Sequence, residues 1–125
     1  MNKNDIKSYK DLIAWQKAML LVKNIYEIAK TFPKEEIYAL TSQIKRSAVS
    51  IPSNISEGSS KRSINEFIRF LNISYGSLCE LETQIQIAEI VGYINSSSEI
   101  MNQTSELGKI LNGLISSLEN KNISN

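Results

Sequence analysis

The fold is decided by one stretch of the sequence, LTSQIKRSAVSIPSNISEG at residues 40–58. Its apolar positions recur every three or four residues, which is the spacing of one face of a helix. That face consists of Ile37, Leu40, Ile44, Ser47, Ile51 and Ile55. Pro52 interrupts the pattern, because a proline lacks the N–H that would bond the carbonyl of Ala48 and costs about 3 kcal/mol in a helix interior. The stretch therefore predicts a helix that either kinks near Pro52 or stops and restarts there.

A helix precedes this stretch, from about Tyr9 or Asp11 to about Thr31, and the Phe32-Pro33 pair ends it. Two apolar stripes lie side by side along it and together span about 160° of its circumference at 100° per residue. A surface helix needs an apolar stripe of only about 100°. One stripe is Leu12, Trp15, Met19, Val22, Tyr26 and Ala29, and the other is Ala14, Ala18, Leu21, Ile25, Ile28 and Phe32.

Two further helices follow the central stretch. The second helix is predicted to begin between Glu35 and Thr41 and to be capped by Gly58. Capping boxes at residues 63–66 and 96–99 open the third and fourth helices, and the third ends near Gly92. The third helix carries the seam Ile64, Phe67, Leu71, Ser74, Leu78, Leu81, Ile85 and Ala88. The fourth carries Ile100, Thr104, Leu107, Leu111, Leu114 and Leu118.

Four helices joined by short loops predict an all-α protein, an antiparallel up-down-up-down four-helix bundle whose second helix is kinked or broken near Pro52. No segment alternates with a period of two residues, so we expect no strand. The bundle is expected to cover residues 9–119, between an N-terminal arm at residues 1–8 and a polar tail at residues 120–125.

The composition narrows the possible functions. The chain has no histidine and a single cysteine, Cys79, so it lacks the commonest general base and metal ligand and an internal disulfide. We therefore expect a non-enzymatic protein with no metal and no cofactor. No apolar run approaches the roughly 20 residues of a membrane span, and the N-terminus lacks the apolar core of a secretory signal. These features favour a cytoplasmic protein without a membrane partner.

Two sets of residues are candidates for binding. Residues 41–79 carry five basic and two acidic side chains, whereas residues 80–119 carry one lysine and six glutamates. The basic set is Lys45, Arg46, Lys61, Arg62 and Arg69. It is either a solvated charged surface or a site for nucleic acid. The wide apolar face of the first helix predicts self-association, because excess apolar surface usually marks an interface. The predicted interface residues are Ala14, Ala18, Leu21, Ile25 and Ile28.

Six motifs carry a resemblance to a known family. They are WQKA at 15–18, FPKEE at 32–36, LTSQ at 40–43, SIPSNISEG at 50–58, EFIRFL at 66–71 and GSLCELETQ at 76–84. In order and spacing they resemble the four-helix-bundle family encoded by intervening sequences of bacterial large-subunit rRNA genes. That family is similar in fold to the accessory proteins of diversity-generating retroelements. The resemblance implies a homopentamer of antiparallel bundles with no known catalytic activity and a role with nucleic acid.

These observations lead to one hypothesis and one alternative. The hypothesis is a non-enzymatic homo-oligomer, most simply a pentamer, which binds structured nucleic acid (RNA, or else DNA) through its basic surface. Repeating the patch around a ring would strengthen its field. The alternative is an interaction scaffold that docks a partner protein such as a polymerase or reverse transcriptase without touching nucleic acid. The acidic C-terminal half favours this alternative, because it repels phosphate.

Overall fold

The computed structural model describes residues 8–124, and the side chains of residues 8–122. Four α-helices make up most of the described chain, and it contains no strand. The helices are α1 (Ile13–Ala29), α2 (Leu40–Ser59), α3 (Ile64–Ile90) and α4 (Ser98–Ser124). Short 3-10 helices at Tyr9–Asp11 and Lys34–Glu36 precede α1 and α2. The all-α class and the four helices predicted from the sequence are confirmed.

Each helix packs mainly on its neighbours in the chain, and α1 also packs on α4, which closes the bundle. The most extensive packing joins α2 to α3. Ser50 Oγ lies 2.8 Å from Ser77 Oγ, and Ser74 Oγ donates to the Ile51 carbonyl at 2.9 Å. Residue numbers rise along α2 while those of their partners fall along α3, so the two helices are antiparallel.

The core follows the predicted seams closely. In α3 every seam residue is buried except Ile64, which is half-buried. In α4 the seam is buried except Leu114, and Ile115 is buried beside it. In α2 the prediction is wrong at its first position: Ile37 is 55% exposed, because it lies in the turn before the helix begins.

Residues next to the helices define several helix ends, either through side-chain hydrogen bonds or through their backbone conformation. Ser63 Oγ accepts from the Glu66 N–H at 3.3 Å, which confirms the predicted start of α3. Glu36 Oε2 accepts from the Leu40 N–H at 3.2 Å and so caps α2. At the end of α3, Gly92 has φ +85°, the left-handed conformation that favours glycine.

Gly58 does not cap α2, contrary to the prediction. The helix continues to Ser59, and Gly58 is buried inside it. A Cβ atom there would lie 2.7 Å from Phe70 Cβ and 3.1 Å from Phe67 Cδ1. Gly58 is therefore the residue that lets α2 and α3 approach each other closely.

Three predictions concern where segments begin or end: the break at Pro52, the polar tail and the N-terminal arm. α2 runs without interruption through Pro52, so the alternative in which the helix breaks there is wrong, while a bend at Pro52 stays a prediction. The predicted polar tail begins too early, because α4 continues through Ser124 and Asn122 Nδ2 donates to Asn65 Oδ1 on α3. Residues 1–7 of the predicted N-terminal arm lie outside the described residues; Ser8 caps the first 3-10 helix.

The N-terminus of α4 is held by a carboxylate from the last turn of α3. Glu89 Oε1 accepts from the Ser97 N–H at 2.5 Å. Hydrogen bonds from the hydroxyl and the N–H of Ser97 lower the pKa of Glu89 below its ordinary value of 4.5. The ionised carboxylate therefore stabilises the junction between α3 and α4.

Replacing Glu89 with glutamine is expected to lower the free energy of unfolding at neutral pH. Because the pKa of Glu89 is lower in the folded chain, its contribution is complete above pH 4.5 and is lost as the pH falls through the lowered value. Urea denaturation of the wild type and Glu89→Gln at neutral and acid pH measures this. The two should differ at neutral pH and converge in acid. The exposed Glu119→Gln is the control, and an equal loss in both variants would contradict the account.

Candidate nucleic-acid interface

The five basic residues predicted to bind nucleic acid form two separate groups. Lys45 and Arg46 lie in the first half of α2, whereas Lys61, Arg62 and Arg69 surround the turn from α2 to α3. Arg46 lies thirteen residues before the last residue of α2, Ser59, which is about 20 Å at 1.5 Å per helical residue, and Lys61 follows in the turn. The basic set is therefore an extended stripe and not one compact patch.

At the α2–α3 turn, two cations lie against one aromatic ring. Lys61 Nζ is 5.3 Å and Arg69 Cζ is 4.5 Å from the centroid of Phe70. Arg69 Nε also donates to Glu66 Oε2 at 2.8 Å. This hydrogen bond is the main cause of a lowered pKa for Glu66 and a raised pKa for Arg69. Arg69 is thus paired with Glu66, which leaves the exposed Arg62 as the more available guanidinium.

In α2, Lys45 and Arg46 point to different surroundings. Lys45 is half-buried, and its Nζ lies 4.8 Å from the ring centroid of Tyr26 on α1. Arg46 is exposed. Within residues 8–122, neither Arg46 nor Arg62 lies within ion-pair distance of a carboxylate. These two arginines are therefore the cations best placed to meet a phosphate.

Arg46 borders a groove of about 560 Å³ between α2 and α3, here called the α2–α3 groove. Its walls are Tyr38, Ser42, Gln43, Arg46, Ser47, Ser50, Ser77, Glu80 and Gln84. Hydroxyl and amide groups predominate, so the groove offers many hydrogen-bond donors and acceptors. Tyr38 is 94% exposed, and the buried Oε1 of Gln84 has no hydrogen-bond partner among the described residues.

Sequence reasoning missed this groove. Serine and glutamine recur beside the buried face of α2, at Gln43, Ser47 and Ser50, with the spacing of a helical stripe. Polar residues next to an apolar seam are usually read as solvated. The short side chains of Ser47 and Ser50 also allow α2 to approach another helix closely, and this pattern was visible in the sequence.

The predicted oligomer interface needs correction. Ala14, Ala18, Leu21 and Ile25 are at most 2% exposed within one chain, and Ile28 is partly buried against the same core. The core of the same chain covers this stripe, so it offers no surface to a second chain. The exposed apolar residues of α1 are Ile13, Met19, Leu20 and Tyr26.

The acidic residues do not gather into a metal site in the described part of the chain. Glu82 accepts a hydrogen bond from Thr104, and Glu106 pairs with Lys17 at 3.0 Å. Cys79 is exposed. Among residues 8–124, no helix has the length and apolar character needed to cross a membrane.

Comparison with known proteins places these features in a family. The family model described as "23S rRNA-intervening sequence protein" matches residues 10–113. Among solved structures, the chain is similar to a protein of unknown function from the S23 ribosomal protein family of Bacteroides thetaiotaomicron VPI-5482. The TM-score is 0.76 with 26% sequence identity, over 82% of this chain and 98% of that one. No curated protein matches this chain.

Proposed function

This chain belongs to the family of 23S rRNA-intervening sequence proteins, and on that basis we propose that it is a non-enzymatic bundle that binds RNA along the α2–α3 side. We further propose that it acts in the cytoplasm as a closed homo-oligomer, most simply a pentamer, without a metal or cofactor. The observation that carries the RNA proposal is the α2–α3 groove, in which an exposed arginine and an exposed tyrosine flank a wall of hydroxyl and amide groups.

Most groups of the α2–α3 groove suit a part of a nucleotide, and the Glu80 carboxylate is the exception. Arg46 donates to phosphate oxygens, since a guanidinium binds phosphate through several N–H groups. Tyr38 provides a ring on which an unpaired base stacks, a contact worth about 1–3 kcal/mol. The serine hydroxyls and the Gln43 and Gln84 amides hydrogen-bond to sugars and base edges. The groove therefore favours a single-stranded segment, such as the loop of a folded RNA.

The α2–α3 turn extends the contact along the bundle. Arg46 lies thirteen residues before the end of α2 at Ser59, about 20 Å at 1.5 Å each, and the exposed Arg62 follows three residues later in the turn. Successive phosphates of one stacked strand are displaced by about 3.4 Å along the strand axis, so several phosphates fit between the two arginines. RNA bound in the α2–α3 groove is thus expected to reach Arg62 at the turn.

The RNA proposal predicts a specific order of effects among arginine variants. Removing Arg46 and Arg62 together should weaken binding of single-stranded RNA. It should also make the log–log salt dependence shallower by about 1.4, since each phosphate contact contributes about 0.7 for single strands. Fluorescence anisotropy titrations over a range of salt concentrations measure both. Arg69→Ala is the matched control: it removes the same charge, but Glu66 already pairs with Arg69, so its effect should be smaller.

Two outcomes would contradict the RNA proposal. One is unchanged affinity in the Arg46→Ala/Arg62→Ala variant, with circular dichroism and oligomeric state as in the wild type. The other is a larger loss in Arg69→Ala than in that variant.

A protein-docking scaffold is the second candidate, and one observation favours it. Large apolar side chains are exposed on the outer face of α3, at Ile73, Ile87 and Ile90, and exposed apolar surface often marks a protein interface. This candidate predicts no measurable RNA affinity at physiological salt. The titration described above therefore separates the two functions.

A further inference from the structure

α3 carries a second heptad seam on its outer face. The exposed residues of this outer seam are Ile73, Gly76, Glu80, Thr83, Ile87 and Ile90, at spacings of three and four. That is the repeat with which one helix packs along another. The inner seam of α3 already fills the core of its own chain, so the outer seam has no partner within the described residues.

A concave surface of complementary character lies between α1 and α2, here called the α1–α2 surface. It is formed by Trp15, Met19, Val22 and Tyr26 of α1 and by Lys45, Val49 and Pro52 of α2. Its central hollow has a volume of about 310 Å³. Met19, Tyr26 and Val49 are each 40–43% exposed, so apolar side chains from both helices reach this surface.

The charges of the two surfaces are complementary. Glu80 is the only charged residue of the outer seam. On the α1–α2 surface the charged residues are Lys45, held against the Tyr26 ring at 4.8 Å, and Arg46, which lies where this surface borders the α2–α3 groove. A second copy of this chain would therefore bring a carboxylate to a half-buried ammonium group that has no carboxylate within ion-pair distance in its own described chain.

The two surfaces also match in height along the bundle. Measured from the α2–α3 turn at 1.5 Å per residue, Lys45 lies about 21 Å from Ser59 and Glu80 about 24 Å from Ile64. By the same measure, Val49 lies at about 15 Å and Ile73 at about 14 Å. The apolar contact and the charge pair therefore align together when two parallel bundles stand side by side at the same height.

We propose that the outer seam of one chain docks on the α1–α2 surface of the next, with Ile73 against Val49 and Glu80 against Lys45. This rests on the self-association proposed above and identifies the surfaces that make it. The contact joins two different surfaces, so it is heterologous, and such contacts form either rings or filaments. Contact at equal heights relates neighbouring chains by a rotation without a rise along the axis, and this favours a ring over a helical filament.

The arrangement has a consequence for the α2–α3 groove. The groove lies between the two docking surfaces on the shorter path around the bundle, so every copy turns it towards the ring axis. Glu80 borders the groove, and its pairing with Lys45 of the next chain neutralises the carboxylate that would otherwise repel phosphate. Assembly and RNA binding would then support each other.

A mixing experiment tests the heterologous contact. Val49→Glu places a carboxylate on the α1–α2 surface, and Ile73→Glu places one on the outer seam. Both positions are 40% exposed, so the fold should tolerate the change. Each variant alone should sediment as a monomer at concentrations where the wild type is a closed oligomer. An equimolar mixture should form a heterodimer, because one intact seam meets one intact α1–α2 surface. Leu20→Glu, at a position 48% exposed outside both surfaces, should assemble like the wild type.

The possible failures are distinguishable by sedimentation equilibrium. A wild-type oligomer that persists in Val49→Glu or Ile73→Glu would overturn the proposed surfaces alone, as would a mixture that stays monomeric. Loss of assembly in Leu20→Glu would also overturn them. A monomeric wild type at tens of micromolar would overturn the self-association and these surfaces together, whereas RNA binding is tested separately by the titration of the arginine variants.

Discussion

Replacing Gly58 with alanine is expected to destabilise the bundle by about 1–3 kcal/mol. Gly58 is buried against α3, and an added methyl group would lie 2.7 Å from Phe70 Cβ. That atom is attached directly to the backbone, so the contact is relieved only if the helices move apart. Helix propensity acts in the opposite direction, since alanine is favoured over glycine by about 1 kcal/mol. The sign of the effect therefore shows whether the close approach is real.

Gly113→Ala is the matched control for this substitution. Gly113 is an exposed residue within α4, and an added Cβ would have no atom within 4 Å. Propensity alone should then stabilise the variant by about 0.5–1 kcal/mol. Urea denaturation of both variants and the wild type gives the comparison. Gly58→Ala at least as stable as Gly113→Ala would contradict the packing described for α2 and α3.

Replacing Phe67 with alanine is expected to cost about 3–5 kcal/mol, the usual range for a large aromatic side chain lost from a core. Phe67 is fully buried. Its Cδ1 atom lies 3.1 Å from the position that a Cβ atom of residue 58 would occupy. With no side chain at Gly58 to fill the gap, the cavity cannot easily collapse. Phe67→Leu retains most of the volume and should lose clearly less.

The two Phe67 variants are compared by their free energies of unfolding, with the denaturant slope as a check on two-state behaviour. A loss under about 1 kcal/mol in Phe67→Ala would mean that the site collapses readily. It would show that the α2–α3 contact is looser than the structure has it.

The fold was predictable because periodicity specifies which residues share a helix face. The α3 seam shows this, since only Ile64 is less than fully buried. Local signals were equally reliable where one residue type suits one conformation, as with the Ser63 cap and Gly92. These features depend on residues near one another in the sequence, so they need no knowledge of the tertiary packing.

Features that depend on which faces meet were not predictable. α1 has two apolar stripes, and periodicity alone does not show which one faces the core. The structure buries the stripe containing Ala14 and Ala18. For the same reason the sequence did not show the role of Gly58. Its position predicts a helix cap, whereas the structure buries it beside Phe70 on α3. For Arg69 the signal was available: Glu66 lies three residues earlier, at the spacing of a helical ion pair.

The position of bound RNA tests the central claim most directly. Thiouridine-substituted single-stranded RNA, cross-linked to the protein by ultraviolet light and mapped by mass spectrometry, reports which peptides touch a base. The account predicts the strongest adduct on the tryptic peptide of residues 35–45, which contains Tyr38 and Gln43, and loss of that adduct in Tyr38→Ala. Adducts confined to the α4 face, or none at RNA concentrations that saturate binding, would contradict it.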